Sequence, residues 1–280
     1  MTFMNTIKLK GMITCVIILL LSSNVLVLGQ QISGTVFEMN SDIPVEYANI
    51  GIVGKNVGTV SDQNGNYTLE VKPEYDDDTL KFSCIGYHPY SVKVADFINL
   101  NNGNIYLEKR LYELVEVVVR PKKIKQKTLG ITTTNKIAVA CSDSIYGGEI
   151  GVVMKNKNKA LLKEINIKVA HCSYDTVFYR LNIYRAQENM LFDNILSNPV
   201  FFSLPKEEVK DHIKVDLRDL QLVVEGDFLV TIEVIKNLGP GVLCYPASIL
   251  HKSYFRKTSQ GEWKTIVAGI SISAIVDVER

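Results

Sequence analysis

Gly58-Thr59-Val60-Ser61-Asp62-Gln63-Asn64-Gly65-Asn66-Tyr67-Thr68-Leu69-Glu70-Val71 is the stretch that decides the fold class of this chain. From Tyr67 to Val71 apolar and polar residues alternate strictly, the period of a strand with one buried face. Just before it, Asn64-Gly65 stands between two alternating runs. Both residue types tolerate positive φ, so the pair predicts a tight β-hairpin turn. Working outward, short runs of the same kind lie at residues 32–37, 45–52, 80–84, 91–94 and 114–119. None sustains a helical period. Residues 31–120 therefore predict an all-β sandwich.

Beyond it lies Pro121-Lys122-Lys123-Ile124-Lys125-Gln126-Lys127, basic and without an acid. This run predicts an exposed linker over residues 121–135. A contact with anionic lipid or polysaccharide is the functional alternative for it. Strand patterns then resume. Ile165, Ile167 and Val169 alternate with Asn166 and Lys168, and Val177, Tyr179, Leu181 and Ile183 with Phe178, Arg180 and Asn182. Residues 213–217 repeat the pattern, and 228–235 (FLVTIEVI) are apolar enough for a central strand. A hairpin is expected at 254–257 and 263–266 around Ser259-Gln260-Gly261, and a last strand at 270–276. Residues 204–209 predict one helical turn with Pro205 at its first position. The expected architecture is two antiparallel β-sandwich domains, residues 31–120 and 136–280, the second jelly-roll-like.

The first 29 residues read differently. Lys8 and Lys10 precede an apolar block at 12–21 (MITCVIILLL), and Val27-Leu28-Gly29 follows Ser22, Ser23 and Asn24. That order predicts a secretory signal peptide cut after Gly29 or Gln30, since the apolar block falls short of the ~20 residues that span a bilayer. Export to the periplasm, the outer membrane or the outside is the expectation, with no integral membrane segment left after cleavage. The whole chain carries 31 basic and 30 acidic side chains, a balance unsuited to gripping nucleic acid. Cys84, Cys141, Cys172 and Cys244 would remain after export. They could pair as disulfides or serve as small buried side chains.

The series ISGTV, VEYANI, GTVSDQNGNYTLEV, LKFSCIGY and VKV over residues 32–94 resembles the carboxypeptidase regulatory-like domain. The matching positions are Gly34, Ala48, Gly58, Asp62, Gly65, Tyr67, Gly86 and Tyr87. The resemblance implies a transthyretin-like sandwich over about residues 31–120, of the kind found beside metallocarboxypeptidases. It also implies the kind found at the N-termini of TonB-dependent outer-membrane receptors. The run Leu114-Val115-Glu116-Val117-Val118-Val119 resembles the end of that domain in the receptors.

Chemistry is sparse. The four histidines His88, His171, His212 and His251 are isolated, and none belongs to a His-Glu-x-x-His motif, so no metal cofactor is expected. There is no nucleophile elbow and no phosphate loop. Asp62-Gln63-Asn64-Gly65 lacks the spacing of a calcium loop, and Asp76-Asp77-Asp78 is expected to be a solvated acidic loop. No catalytic residue is assigned. What remains is aromatic: Tyr254, Phe255 and Trp263, the only tryptophan, lie in one expected hairpin. Aromatic rings stack on sugar faces, so these three are the candidate ligand-binding residues. The expected function is a non-enzymatic binding protein that contacts a glycan or an envelope protein through the second sandwich. The alternatives are an accessory component of an outer-membrane complex, or a hydrolase whose acids leave no sequence signature.

Overall fold

The structure, a computed structural model, describes residues 29–100, 102–110, 124–141, 146–186 and 192–279. The expected leader up to residue 28, the strand at 114–119 and residues 121–123 of the expected linker lie outside this set.

The described chain is all-β. In the first half, β1 (Gln30–Glu38), β2 (Asn49–Ile52), β3 (Gly58–Val60), β4 (Asn66–Val71), β5 (Thr79–Ser83), β6 (Tyr90–Lys93), α1 (Val94–Asn99) and β7 (Ile105–Leu107) follow in order. They form two sheets, β4-β1-β7 and β3-β2-β5-β6. Between the sheets lie Ile32, Val36, Ile50, Leu69, Leu80 and Phe82, all buried. Strand β4 buries Tyr67, Leu69 and Val71 and exposes the residues between, as its alternation requires.

The hairpin expected at Asn64-Gly65 is corrected by the sheet order. The turn is present, but β3 and β4 belong to different sheets. Only Gly65 takes a positive φ, 76°. Its N–H donates to the Asp62 carbonyl, and the Asp62 N–H donates to the Asn66 carbonyl. The Asp62 carboxylate accepts the Asn64 and Asn66 N–H groups at 2.8 and 2.9 Å. This Asp-anchored turn lets the chain step from one layer to the other. The acidic loop is likewise occupied internally: Asp77 pairs with Lys93 at 2.6 Å and Asp78 with Lys55 at 3.7 Å.

The second half comprises β8 (Ile124–Gly130), β9 (Ala138–Cys141), β10 (Glu149–Met154), β11 (Ala160–Lys168), β12 (His171–Cys172), β13 (Thr176–Ala186), β14 (Phe192–Asn194) and β15 (Val200–Pro205). After these come β16 (His212–Asp216), β17 (Val223–Val224), β18 (Phe228–Glu233), β19 (Leu243–Ser248), β20 (Ser253–Arg256), β21 (Lys264–Ile266), β22 (Gly269–Ile270) and β23 (Ile272–Glu279). A seven-stranded sheet runs β14-β13-β18-β10-β20-β21, with β15 on β13. Opposite it lie a sheet β16-β11-β23-β8 with β17 on β11, and a sheet β12-β19-β22 with β9 on β19. One apolar core, including Leu162, Ile165, Tyr179, Leu181, Val230 and Tyr245, fills the space between. Strand β18 is central, as its apolar run predicts, and β20 with β21 forms the expected hairpin.

Two local readings change. Residues 124–130, expected in the linker, pair along their whole length with β23 as an edge strand. They carry no apolar alternation because β8 is almost fully exposed, held by backbone hydrogen bonds rather than by a buried face. Lysines on such an edge also discourage pairing with another chain. The turn after β15 is a 3-10 turn, Lys206–Glu208, with Pro205 capping it from outside instead of occupying its first position.

The two halves are pressed together. Tyr47 packs on Phe178 and Phe201, with ring centroids 5.7 and 5.4 Å away. Gly51 and Gly58 face each other across β2 and β3, and the Ser259 backbone of the β20–β21 turn sits over them. A Cβ on either glycine would lie 2.3 or 2.4 Å from the Ser259 carbonyl oxygen. Gly51→Ala and Gly58→Ala are each expected to destabilise the protein by about 1–3 kcal/mol, read by chemical denaturation, because backbone must move to admit the methyl.

Candidate functional site

The alternation that builds the seven-stranded sheet also loads its outer face with polar groups. In β13, Val177, Tyr179, Leu181 and Ile183 point into the core, so Phe178, Arg180, Asn182 and Tyr184 point outward. The same parity places Thr231 and Glu233 of β18, Glu149 of β10, and Tyr254 and Arg256 of β20 on that outer face. In an isolated sandwich this face would meet water. Here the first half covers it, and Arg180, Asn182, Glu149, Thr231 and Glu233 are all buried.

Their hydrogen bonds are nearly complete. Arg180 Nε donates to Glu233 Oε2 at 2.8 Å and its Nη1 to the Tyr47 carbonyl at 2.6 Å, while Nη2 reaches Asn49 Oδ1. Asn49 Nδ2 donates to Glu233 Oε1 and, at 2.9 Å, to Ser259 Oγ. Asn182 Nδ2 donates to Glu233 Oε2 at 2.7 Å. Directly opposite Glu233 in the ladder stands Glu149. It accepts from Arg256, from Tyr184 Oη and, at 2.7 Å, from Thr231 Oγ1. Two guanidinium groups thus balance two carboxylates, a condition for burying charge without a large penalty. The Asn49 and Tyr47 contacts come from the first half.

The two acids titrate in opposite directions. Burial raises Glu149, an effect that Arg256 only partly opposes and that the charge of Glu233 reinforces. Burial would raise Glu233 too, but Arg180 and Arg256, with the amides of Asn182 and Asn49, outweigh it and hold the carboxyl below its ordinary value. A raised acid inside a protein is a familiar mark of catalysis. Glu149, however, has both oxygens engaged, so its place is structural.

Beside this network a cleft of about 200 Å³ opens between the halves. Asn49, Lys81 and Ser83 line it from the first half; Asn182, Tyr184, Phe192, Asn194 and Arg256 line it from the second. Lys81 is half-buried. Burial and the nearby Arg256 charge lower its pKa, and among the described residues no acid pairs with it. Exposed Asp193 sits on the rim. The aromatic wall continues outward: Trp263 meets Phe192 edge to face at 5.1 Å and Tyr184 at 5.9 Å, and Tyr254 meets Phe192 at 5.8 Å. The Arg256 guanidinium lies 5.1 Å from the Trp263 ring centre, a cation–π contact.

Of the three residues singled out from the sequence, the structure brings Tyr254 and Trp263 together on this face, each half-buried. It sends Phe255 to the other face, where it packs on the core of the second sandwich. Strand parity decides this, since neighbours on β20 point to opposite sides. Sequence reasoning missed Phe192, Lys81 and Arg256. Nothing in the spacing of Phe192 or Lys81 marks them; Arg256 does share the parity of Tyr254. A second cavity of about 270 Å³ beside Phe255 is lined mainly by apolar groups such as Ile150, Ile232 and Ile266. No three metal-ligating side chains converge among the described residues. Cys84, Cys172 and Cys244 are free thiols, and burial pushes Cys84 up to about 11.

Arg180→Met is expected to cost about 3–5 kcal/mol in chemical denaturation, because Glu233 is then buried unpaired. Arg180→Met with Glu233→Gln should lose less than the sum of the two single changes. The pH profiles should have opposite slopes. Glu233, held low, contributes stability above its unfolded pKa that is lost as pH falls through its folded value. Glu149, held high, contributes stability below its unfolded pKa that is lost as pH rises through its folded value. Wild type should therefore lose its advantage over Glu233→Gln on acidification, and over Glu149→Gln as pH rises from the acid range.

The family model of the CarboxypepD_reg-like domain matches residues 32–119. No curated protein matches this sequence. Among solved structures, the VP2 subviral particle of infectious bursal disease virus aligns at 8% identity over 90% of this chain and 80% of that one, with a TM-score of 0.18. The T=1 particle derived from the same virus aligns at 9% identity over 89% and 77%, with a TM-score of 0.16. At these scores neither alignment bears on fold or function. Residues 32–119 thus match the CarboxypepD_reg-like domain, the described residues among them form a β-sandwich, and no catalytic domain is identified beside it.

Proposed function

We propose that this chain is an exported, non-enzymatic binding protein of the bacterial cell envelope, and that it captures a glycan in the cleft between its two sandwiches. The observation that carries the reading is the joining of an aromatic wall to a polar, cation-bearing pocket. Phe192, Tyr184 and Trp263 are continuous with Asn194, Ser83 and Lys81. Sugars present just these needs: C–H faces for rings, and hydroxyls for amides and hydroxyl groups. Lys81 favours a sugar that bears a carboxylate or sulfate, since no side chain among the described residues neutralises it.

The regulatory-like domain supports a binding role, because it supplies one wall of the cleft. Export rests on the basic-then-apolar order of the first 29 residues. No described helix is long and apolar enough to cross a membrane.

Trp263 is the only tryptophan and touches the cleft-lining Phe192, Tyr184 and Arg256, so its emission reports on that wall. Titration with a panel of acidic and neutral oligosaccharides is expected to shift that emission, most strongly for acidic members. Calorimetry should then show Lys81→Ala and Phe192→Ala each binding about tenfold more weakly, the loss of roughly one charge-assisted or stacking contact. A silent panel, together with co-purification of an outer-membrane complex, would replace this reading with that of an accessory protein.

A further inference from the structure

The three most exposed large aliphatic side chains among the described residues are Leu250 at 87%, Val267 at 69% and Ile249 at 59%. They are not scattered. Ile249 and Leu250 lie in the loop from β19 to β20, and Val267 lies in the turn from β21 to β22. Ser248 pairs with Gly269 and Ser253 with Ile266, which sets the two loops side by side. Ser253 Oγ donates to the Ala268 carbonyl at 2.7 Å, and His251 Nδ1 lies 3.0 Å from Ser248 Oγ. Exposed Ile137 joins the same end, its carbonyl accepting the Ala247 N–H at 2.8 Å.

The segments that build this tip carry charge of one sign. Residues 131–141, 246–261 and 263–276 contain no Asp or Glu, while Lys136, His251 and Lys252 are exposed beside the aliphatic groups. Isolated surface aliphatics need no explanation, but the most exposed ones gathered at one end, on segments without an acid, do.

We propose that this end docks on an anionic lipid surface, Leu250, Ile249 and Val267 entering the headgroup region while Lys136 and Lys252 meet the phosphates. The occupant follows from shape and charge. A side chain as exposed as Leu250 projects, so it offers a tip and no groove for a peptide. A fluid interface accepts a projecting apolar tip, and its negative potential attracts flanking lysines. The geometry also orients the molecule. The β20–β21 hairpin carries this tip at its Ser253–Ile266 end and the Arg256–Trp263 contact toward its turn, so docking sets that contact at the hairpin end away from the bilayer. The assignment does not depend on what the cleft binds.

Co-sedimentation with phosphatidylcholine vesicles, with and without phosphatidylglycerol, tests it on the whole chain. Residues 12–21 are themselves apolar, so all proteins keep the same N-terminus and the difference from wild type is the reading. Wild type is expected to sediment with phosphatidylglycerol vesicles and to be released by salt. Leu250→Asp with Val267→Asp, and separately Lys136→Glu with Lys252→Glu, should each weaken binding by at least about tenfold at unchanged melting temperature. Variants that bind as wild type does, or binding indifferent to lipid charge, would overturn the proposal. So would light scattering that shows a dimer which Leu250→Asp dissolves, since the occupant would then be a second copy.

Discussion

Arg180 reaching across to Asn49 and the Tyr47 carbonyl is the interaction on which the rest of the structure depends. A guanidinium buried this deeply must find acceptors for nearly all its N–H groups. Glu233 on its own sheet supplies one side, and the first sandwich supplies the other. Without that second set the outer face of β13, β18 and β10 would need water. The two sandwiches are therefore completed by each other, unlike beads on a linker. Tyr47 even holds a left-handed φ of 52° at this contact, a strain that its packing on Phe178 and Phe201 offsets.

The regulatory-like domain is built into this arrangement. Its β2 and β5 form a wall of the cleft, and its Asn49 belongs to both the wall and the buried network. Rigidity of the network fixes the spacing of that wall. On the reading proposed above, a ligand would enter a cleft whose two walls are already held in place by charge, with little ordering left to be done.

The first sandwich was legible because its strands are half-buried and announce themselves by alternation. Its Asn-Gly turn was legible as a turn but not as a crossing between sheets, since local dihedrals do not say which sheet receives the next strand. The basic run at 124–127 reads as a linker because an edge strand with no buried face has no hydrophobic period. In the site, Tyr254 and Trp263 could be paired from a predicted hairpin. Phe255 was grouped with them by closeness in sequence, although strand parity sends it to the core.

What the sequence by itself determined is the all-β class, the regulatory-like character of residues 32–119, the central place of β18 and the hairpin that carries Trp263. Each rests on a period or spacing of a few residues, which local sterics translate directly into backbone. Only the tertiary structure decided that the polar face of the second sandwich is buried, that four charges balance there, and that a cleft lies between the halves. Those outcomes depend on residues more than a hundred positions apart, such as Asn49 and Arg180, and no local period encodes which distant surfaces will share the cost of leaving water.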